Sequence, residues 1–108
     1  MTTENLREAT TFWAKILDQA PLIIRRRAAY YLENTKQISE SEWKVWSISG
    51  SQYTVQRNGR EMTCTCPYFQ EGRGLCKHIA SVAANQLIEL DYKPWKENLE
   101  AKLQIKSS

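Results

Sequence analysis

All three cysteines and the only histidine of the chain fall within fifteen consecutive residues: Cys64, Cys66, Cys76 and His78. They read C-x-C, nine intervening residues, then C-x-H. Thiolates and an imidazole are the ligands that zinc takes in tetrahedral structural sites. A fold that satisfies this segment must therefore bring its two halves together around one ion. In extended chain, the alternation of side chains puts the sulfurs of a C-x-C pair on one side. Pro67 biases Cys66 toward that extended conformation. The second pair sits where a helical pattern begins, and the free amides of a helix start favour nearby thiolates. Lys77, between Cys76 and His78, partly balances the net negative charge of three thiolates and one zinc ion.

Other uses of these residues fit less well. An odd number of cysteines without a secretory leader argues against a disulfide framework. Inert core cysteines have no reason to cluster with the one histidine. A catalytic Cys–His pair needs no C-x-C beside it, and iron–sulfur clusters usually take four cysteines. Four protein ligands close the coordination sphere, which marks a structural ion rather than a catalytic one. No second histidine remains to act as a base, and the carboxylates lie scattered along the chain. The expectation is one structural zinc, no enzyme activity and no small-molecule substrate.

The rest of the chain supplies a scaffold. Leu6, Ala9, Trp13, Ile16, Leu17 and Ala20 repeat at helical spacing over residues 4–20. Pro21 ends that helix or opens a second one over 22–34, with Ile24, Ala28, Tyr31 and Leu32 on one face. Arg25, Arg26 and Arg27 then fall at its start, where they oppose the helix dipole. Residues 43–49 read as a first strand with apolar residues on both sides (Trp43 and Val45, Trp46 and Ile48), implying burial of both faces. Ser49-Gly50-Ser51 is a turn, residues 53–57 a second strand, and Asn58-Gly59 a hairpin signal. A turn centred on Asn58-Gly59 pairs Val55 with Met62, Tyr53 with Cys64, and Arg57 with Arg60. The interval 64–76 reads as a loop. Ile79, Val82, Ala83, Leu87 and Leu90 mark a helix from Lys77 to about Asp91 that Pro94 stops. Trp95, Leu99 and Leu103 predict a short closing helix, and Ser107-Ser108 a frayed end.

Net charge is +3, and its excess lies in the middle of the chain: nine bases face five acids between residues 21 and 78. The longest apolar run, Leu22-Ile23-Ile24, falls far short of the ~20 residues of a membrane span. No membrane association is expected, and a cytoplasmic or nuclear address follows by default, cytoplasmic first.

The motif text, Tyr53-Thr54-Val55, Cys64-Thr65-Cys66-Pro67-Tyr68-Phe69 and Gly74-Leu75-Cys76-Lys77-His78-Ile79-Ala80, resembles the SWIM-type zinc finger. The lead-in R-A-A-Y-Y-L before W-K-V-W-S-I-S-G-S-Q-Y-T-V is similar to that of small bacterial, phage and plasmid members. The likeness covers about residues 26–90. It implies an α+β fold: a β-hairpin or three-stranded antiparallel sheet plus a zinc-bound helix, with the N-terminal helices packed on it. The organisation expected is a helical extension over 1–25, the finger over 26–92, and a short helix and tail over 93–108.

By the same resemblance, such modules bind DNA or other proteins. The basic excess favours a nucleic-acid-binding accessory factor, with DNA ahead of RNA. Candidate contacts are Arg25, Arg26, Arg27, Lys44, Arg57, Arg60, Arg73 and Lys77. Tyr68, Phe69 and Trp46 can stack on bases where exposed, although filling the core is their commoner use. The alternative is a protein-interaction module that self-associates or docks on a recombination or replication partner. Phe12 and Trp13 would then line an apolar groove or dimer face.

Overall fold

A computed structural model describes residues 3–47 and 49–90, with side chains from Arg7 onward. The expected closing helix around Trp95, Leu99 and Leu103, the Ser107-Ser108 end, and the Ile48 and Leu6 side chains lie outside the described residues.

Helix α1 (Thr3–Gln19) follows the helical repeat, burying Trp13, Ala14, Ile16, Leu17 and Ala20 while Ala9 stays half-buried. Pro21 sits at the N-cap of α2 (Leu22–Ala28), which a 3₁₀ turn over Ala29–Tyr31 extends. The α-helix is shorter than its apolar face implied. Arg25, Arg26 and Arg27 therefore occupy its last turn, not its first. There they complement the helix dipole instead of opposing it.

Four antiparallel strands form one sheet in the order β1-β2-β3-β4: β1 (Thr35–Ser39), β2 (Glu42–Trp46), β3 (Gln52–Asn58) and β4 (Glu61–Cys64). This is one strand more than the sequence implied. β1 reads T-K-Q-I-S, and four of its five residues are exposed, so it carries no apolar alternation. Backbone pairing with β2 holds it. So does Thr35, whose Oγ1 donates to the Tyr31 carbonyl at 2.7 Å and lies 2.8 Å from Ser81 Oγ. A register irregularity between Gln37 and Ser39 interrupts the ladder of this strand.

Trp43, Val45, Val55, Met62 and Cys64 point inward by strict alternation. The opposite face, with Lys44, Trp46 and Thr54, is only half-buried. Burial of both faces was expected from Trp46 and does not occur, because the helices cover one side alone.

The register of the second hairpin also differs. Val55 pairs with Cys64, Arg57 with Met62 and Asn58 with Glu61. Gly59 and Arg60 are thus the two turn residues, and Gly59 takes φ +64, open to glycine at no steric cost. Arg57 and Arg60 do not oppose each other. The turn shifts one residue because the positive φ falls on glycine at the first central position, as a type II′ turn requires.

After β4 a single turn, α3 (Pro67–Gln70), leads to helix α4 (Lys77–Glu89), the centre of the molecule. His78 to Ala84 and Leu87 are all buried, so apolar contact surrounds the helix. Ala80, Ser81, Ala83 and Ala84 are small enough for the sheet, α1 and α2 to approach it closely. One hydrophobic cluster runs from Trp13, Leu17 and Ile24 through α4 to Trp43, Val45 and Val55. Trp13 and Trp43 meet edge to face at 5.5 Å, so Trp13 belongs to the core and presents no outer groove.

Candidate metal centre

Each ligand is delivered by the end of an element. Cys64 is the last residue of β4. Cys66 is the N-cap of α3 (Pro67–Gln70), a single turn inside what the sequence presented as a loop, with Pro67 at its first position. Cys76 is the N-cap of α4, and His78 lies in its first turn. Both cap residues hold extended backbone (ψ 153 and 167), which turns their sulfurs back toward Cys64.

The four ligand atoms lie within 4.8 Å of one another, and all four residues are buried. His78 Nδ1 stands 3.7 Å from Cys64 Sγ. Zinc–sulfur bonds of about 2.3 Å and zinc–nitrogen bonds of about 2.0 Å in a tetrahedron place their ends ~3.6 Å apart. The observed spacing therefore fits one ion with modest contraction. Gln70 Nε2 donates to the Cys64 carbonyl at 2.7 Å and ties α3 to β4. The Cys66 amide approaches Cys64 Sγ at 3.5 Å. Tyr53 stacks on the His78 ring at 4.6 Å, and Tyr31 meets it edge-on at 5.3 Å.

The protons are unevenly held in this cluster. Cys76 is pushed down to about 4, chiefly by a hydrogen bond from the Cys64 thiol, with the imidazole and the Ile79 amide assisting. Cys64 is pushed up by that same shared proton and by burial. Burial also pushes Cys66 up, against the pull of the Phe69 amide. Within the folded cluster protons are therefore held more tightly on Cys64 and Cys66 than on Cys76. Because the zinc-free chain is expected to unfold, all three thiols release a proton on binding, and apparent zinc affinity should rise with pH by about three decades per unit around neutrality. Competition with a chelator at two pH values checks this. An affinity independent of pH would mean that the thiols do not ligate.

The sequence-derived basic residues do not form one patch. Lys44 donates to Thr54 Oγ1 at 2.6 Å and pairs with Glu42 at 3.7 Å on the open sheet face. Arg73 pairs with Glu71 at 3.0 Å. Arg25 is half-buried, with Nε lacking a partner among the described residues, and Arg26 and Arg27 are exposed. Lys77 is half-buried, with Nζ 5.2 Å from the Tyr31 ring centre. Tyr68 and Phe69 are half-buried and pack against the core.

Arg57 and Arg60 do converge, but with two residues that sequence reasoning passed over. Arg7 and Lys15 of α1 join them around a cleft of about 570 Å³ that also includes Glu8, Thr11 and Phe12. Arg7, Thr11 and Lys15 recur every four residues, a visible helical stripe. What that stripe faces was not visible. The Arg57 guanidinium lies 3.8 Å from the Phe12 ring centre, and its Nε donates to the Gly59 carbonyl at 2.8 Å. Alternation puts Arg57 on the core side of β3, so beyond the core's edge it meets α1 instead of solvent.

No helix among the described residues is long and apolar enough to cross a membrane. No curated protein and no solved structure matches the chain at a significant level. Residues 53–86 match the family model of the SWIM zinc finger, a span that contains all four ligands. With Cys64, Cys66, Cys76 and His78 gathered at a strand end and two helix starts, in a set that fits one structural zinc ion, the chain carries a SWIM zinc finger.

Proposed function

We propose that the protein is a non-catalytic nucleic-acid-binding factor, in which zinc holds the fold and the cleft between α1 and the β3–β4 hairpin receives the phosphate backbone. The cleft carries the reading: among the described residues four cations, Arg7, Lys15, Arg57 and Arg60, line it with a single acid, Glu8. None of the four is in an ion pair among the described residues. Arg57 is held in place by Phe12 and Gly59, so little side-chain freedom is lost when it binds. DNA is the first ligand to test, in keeping with the basic balance of the finger region.

Each phosphate contact removed should lower the salt slope of binding by about one. Arg57→Ala with Arg60→Ala should therefore lower it by about two, and adding Arg7→Ala and Lys15→Ala by about four in all. Zinc content should not change. Binding curves at three salt concentrations decide the matter. Equal slopes for the parent and the quadruple variant would remove the cleft from the interface.

A protein-interaction reading has one observation in its favour. Leu22, Ile23 and Tyr30 are 42%, 56% and 75% exposed within a single short segment. Sedimentation across a concentration series, with and without Ile23→Ser, tests self-association through it.

A further inference from the structure

The metal centre leaves one group unexplained. His78 Nδ1 faces the cysteines, while Nε2 is buried and has no hydrogen-bond partner among the described residues. Once Nδ1 ligates the ion, Nε2 keeps its proton and can only donate. Zinc-bound histidines almost always give that second proton to an acceptor, commonly a carboxylate, a carbonyl or water. Among the described residues none supplies that acceptor.

A recess of about 430 Å³ opens beside this ring, lined by Tyr31, Ser47, Ser49, Tyr53, Lys77 and His78. None of the three cysteines is among the residues that line it. The chemistry of the lining has one sign. Lys77 brings a positive charge, and none of the described residues that line the recess is a carboxylate. The Ser47 and Ser49 hydroxyls sit 2.9 Å apart on the β2–β3 turn, and the Ser51 amide braces Ser47 Oγ at 3.0 Å. A separate, narrower recess of about 140 Å³ lies against the ligands Cys66 and Cys76; it also touches Tyr53, Lys77, His78 and Arg27.

We propose that the recess between the β2–β3 turn and the start of α4 is a phosphate-group site, with His78 Nε2–H as its innermost donor, Lys77 as its charge, and Ser47 and Ser49 as its rim. Donors approach from the turn and from α4, an arrangement that suits the several oxygens of a phosphate better than the two of a carboxylate. The phosphate can come from a nucleic-acid backbone or from a free phosphate. Only the first source rests on the nucleic-acid reading above.

His78 is the only histidine, so its imidazole N–H signal is unambiguous in proton–nitrogen NMR of the zinc-loaded full chain. The probes are inorganic phosphate and a short single-stranded oligonucleotide, each against chloride at matched ionic strength. The expected result is a downfield shift and slower solvent exchange of Nε2–H with phosphate. Lys77→Gln, or Ser47→Ala with Ser49→Ala, should weaken the response by roughly tenfold at unchanged zinc content. A response to the oligonucleotide that inorganic phosphate competes away supports the backbone source. A response to inorganic phosphate alone supports the free source. An upfield Nε2–H signal that neither probe moves would overturn the proposal and place the proton against the face of Tyr31. Oligonucleotide binding that depends on Arg57 and Arg60 but leaves His78 silent would also overturn it, while the cleft reading survives.

Discussion

Stripping zinc from the folded protein is expected to abolish cooperative folding across the described core, not only around the finger. Structural zinc contributes on the order of 10–16 kcal/mol in small metal-dependent folds at neutral pH. Whole domains are stable by only about 5–15 kcal/mol. The sequence alone points to a local loss, with the N-terminal helices surviving as an appendage. The packing argues for a joint one. Cys76 and His78 begin α4, and α4 is the surface on which α1, α2 and the sheet all rest. Without the ion, the buried sulfurs and the imidazole lose the charge that draws them together, and the start of α4 is no longer pinned to β4. Cys76→Ser and His78→Ala should act in the same direction as a chelator. Far-ultraviolet circular dichroism during thermal melts, with metal content measured alongside, provides the check. A zinc-free protein with an unchanged melting temperature would show that the apolar core suffices without the metal.

Trp43→Ala should cost about 3–5 kcal/mol in the zinc-loaded protein, the range for emptying a large aromatic site in a packed core. Trp43 is among the largest fully buried side chains. It pairs with Val55 across the sheet, meets Trp13 edge-on, and donates from Nε1 to Gln86 Oε1 at 3.3 Å. It therefore joins sheet, α1 and α4 at one point, and no neighbour can collapse into its space without parting the others. Trp43→Phe keeps most of the ring contact and loses the bond to Gln86, so about 1 kcal/mol of its effect is polar. Urea unfolding of both variants under saturating zinc separates the two contributions. A loss under 1 kcal/mol for Trp43→Ala would mean that this contact does not hold the layers together.

The elements legible in the sequence were those whose side chains carry a period. The repeat from Trp13 to Ala20 and the one from Ile79 to Leu87 both became helices with the expected buried faces. The alternation through Trp43 and Val45 became a strand. β1 escaped notice because what holds it is backbone pairing and the Thr35–Ser81 contact, and neither leaves an apolar pattern. The hairpin was found, but its register slipped because N-G can sit at either of two positions in a tight turn. That slip mattered. Moving the turn by one residue took Arg57 from a pair with Arg60 to a seat on Phe12.

The metal ligands needed no tertiary information, because a C-x-C and C-x-H set demands convergence whatever else the chain does. Zinc chemistry is local in its ligand types and its short spacings, so it is written into consecutive residues. The surface is different. Whether a cation is free, paired or stacked depends on which residues lie opposite it, and these come from distant parts of the chain. Lys44 and Arg73 read as contact residues and are paired with Glu42 and Glu71. Arg7 and Lys15, which the sequence did not single out, line the cleft with Arg57 and Arg60. Only the docking of α1 across the hairpin decided that, through apolar burial on its other face, where Trp13 and Leu17 set the orientation that the cations inherit.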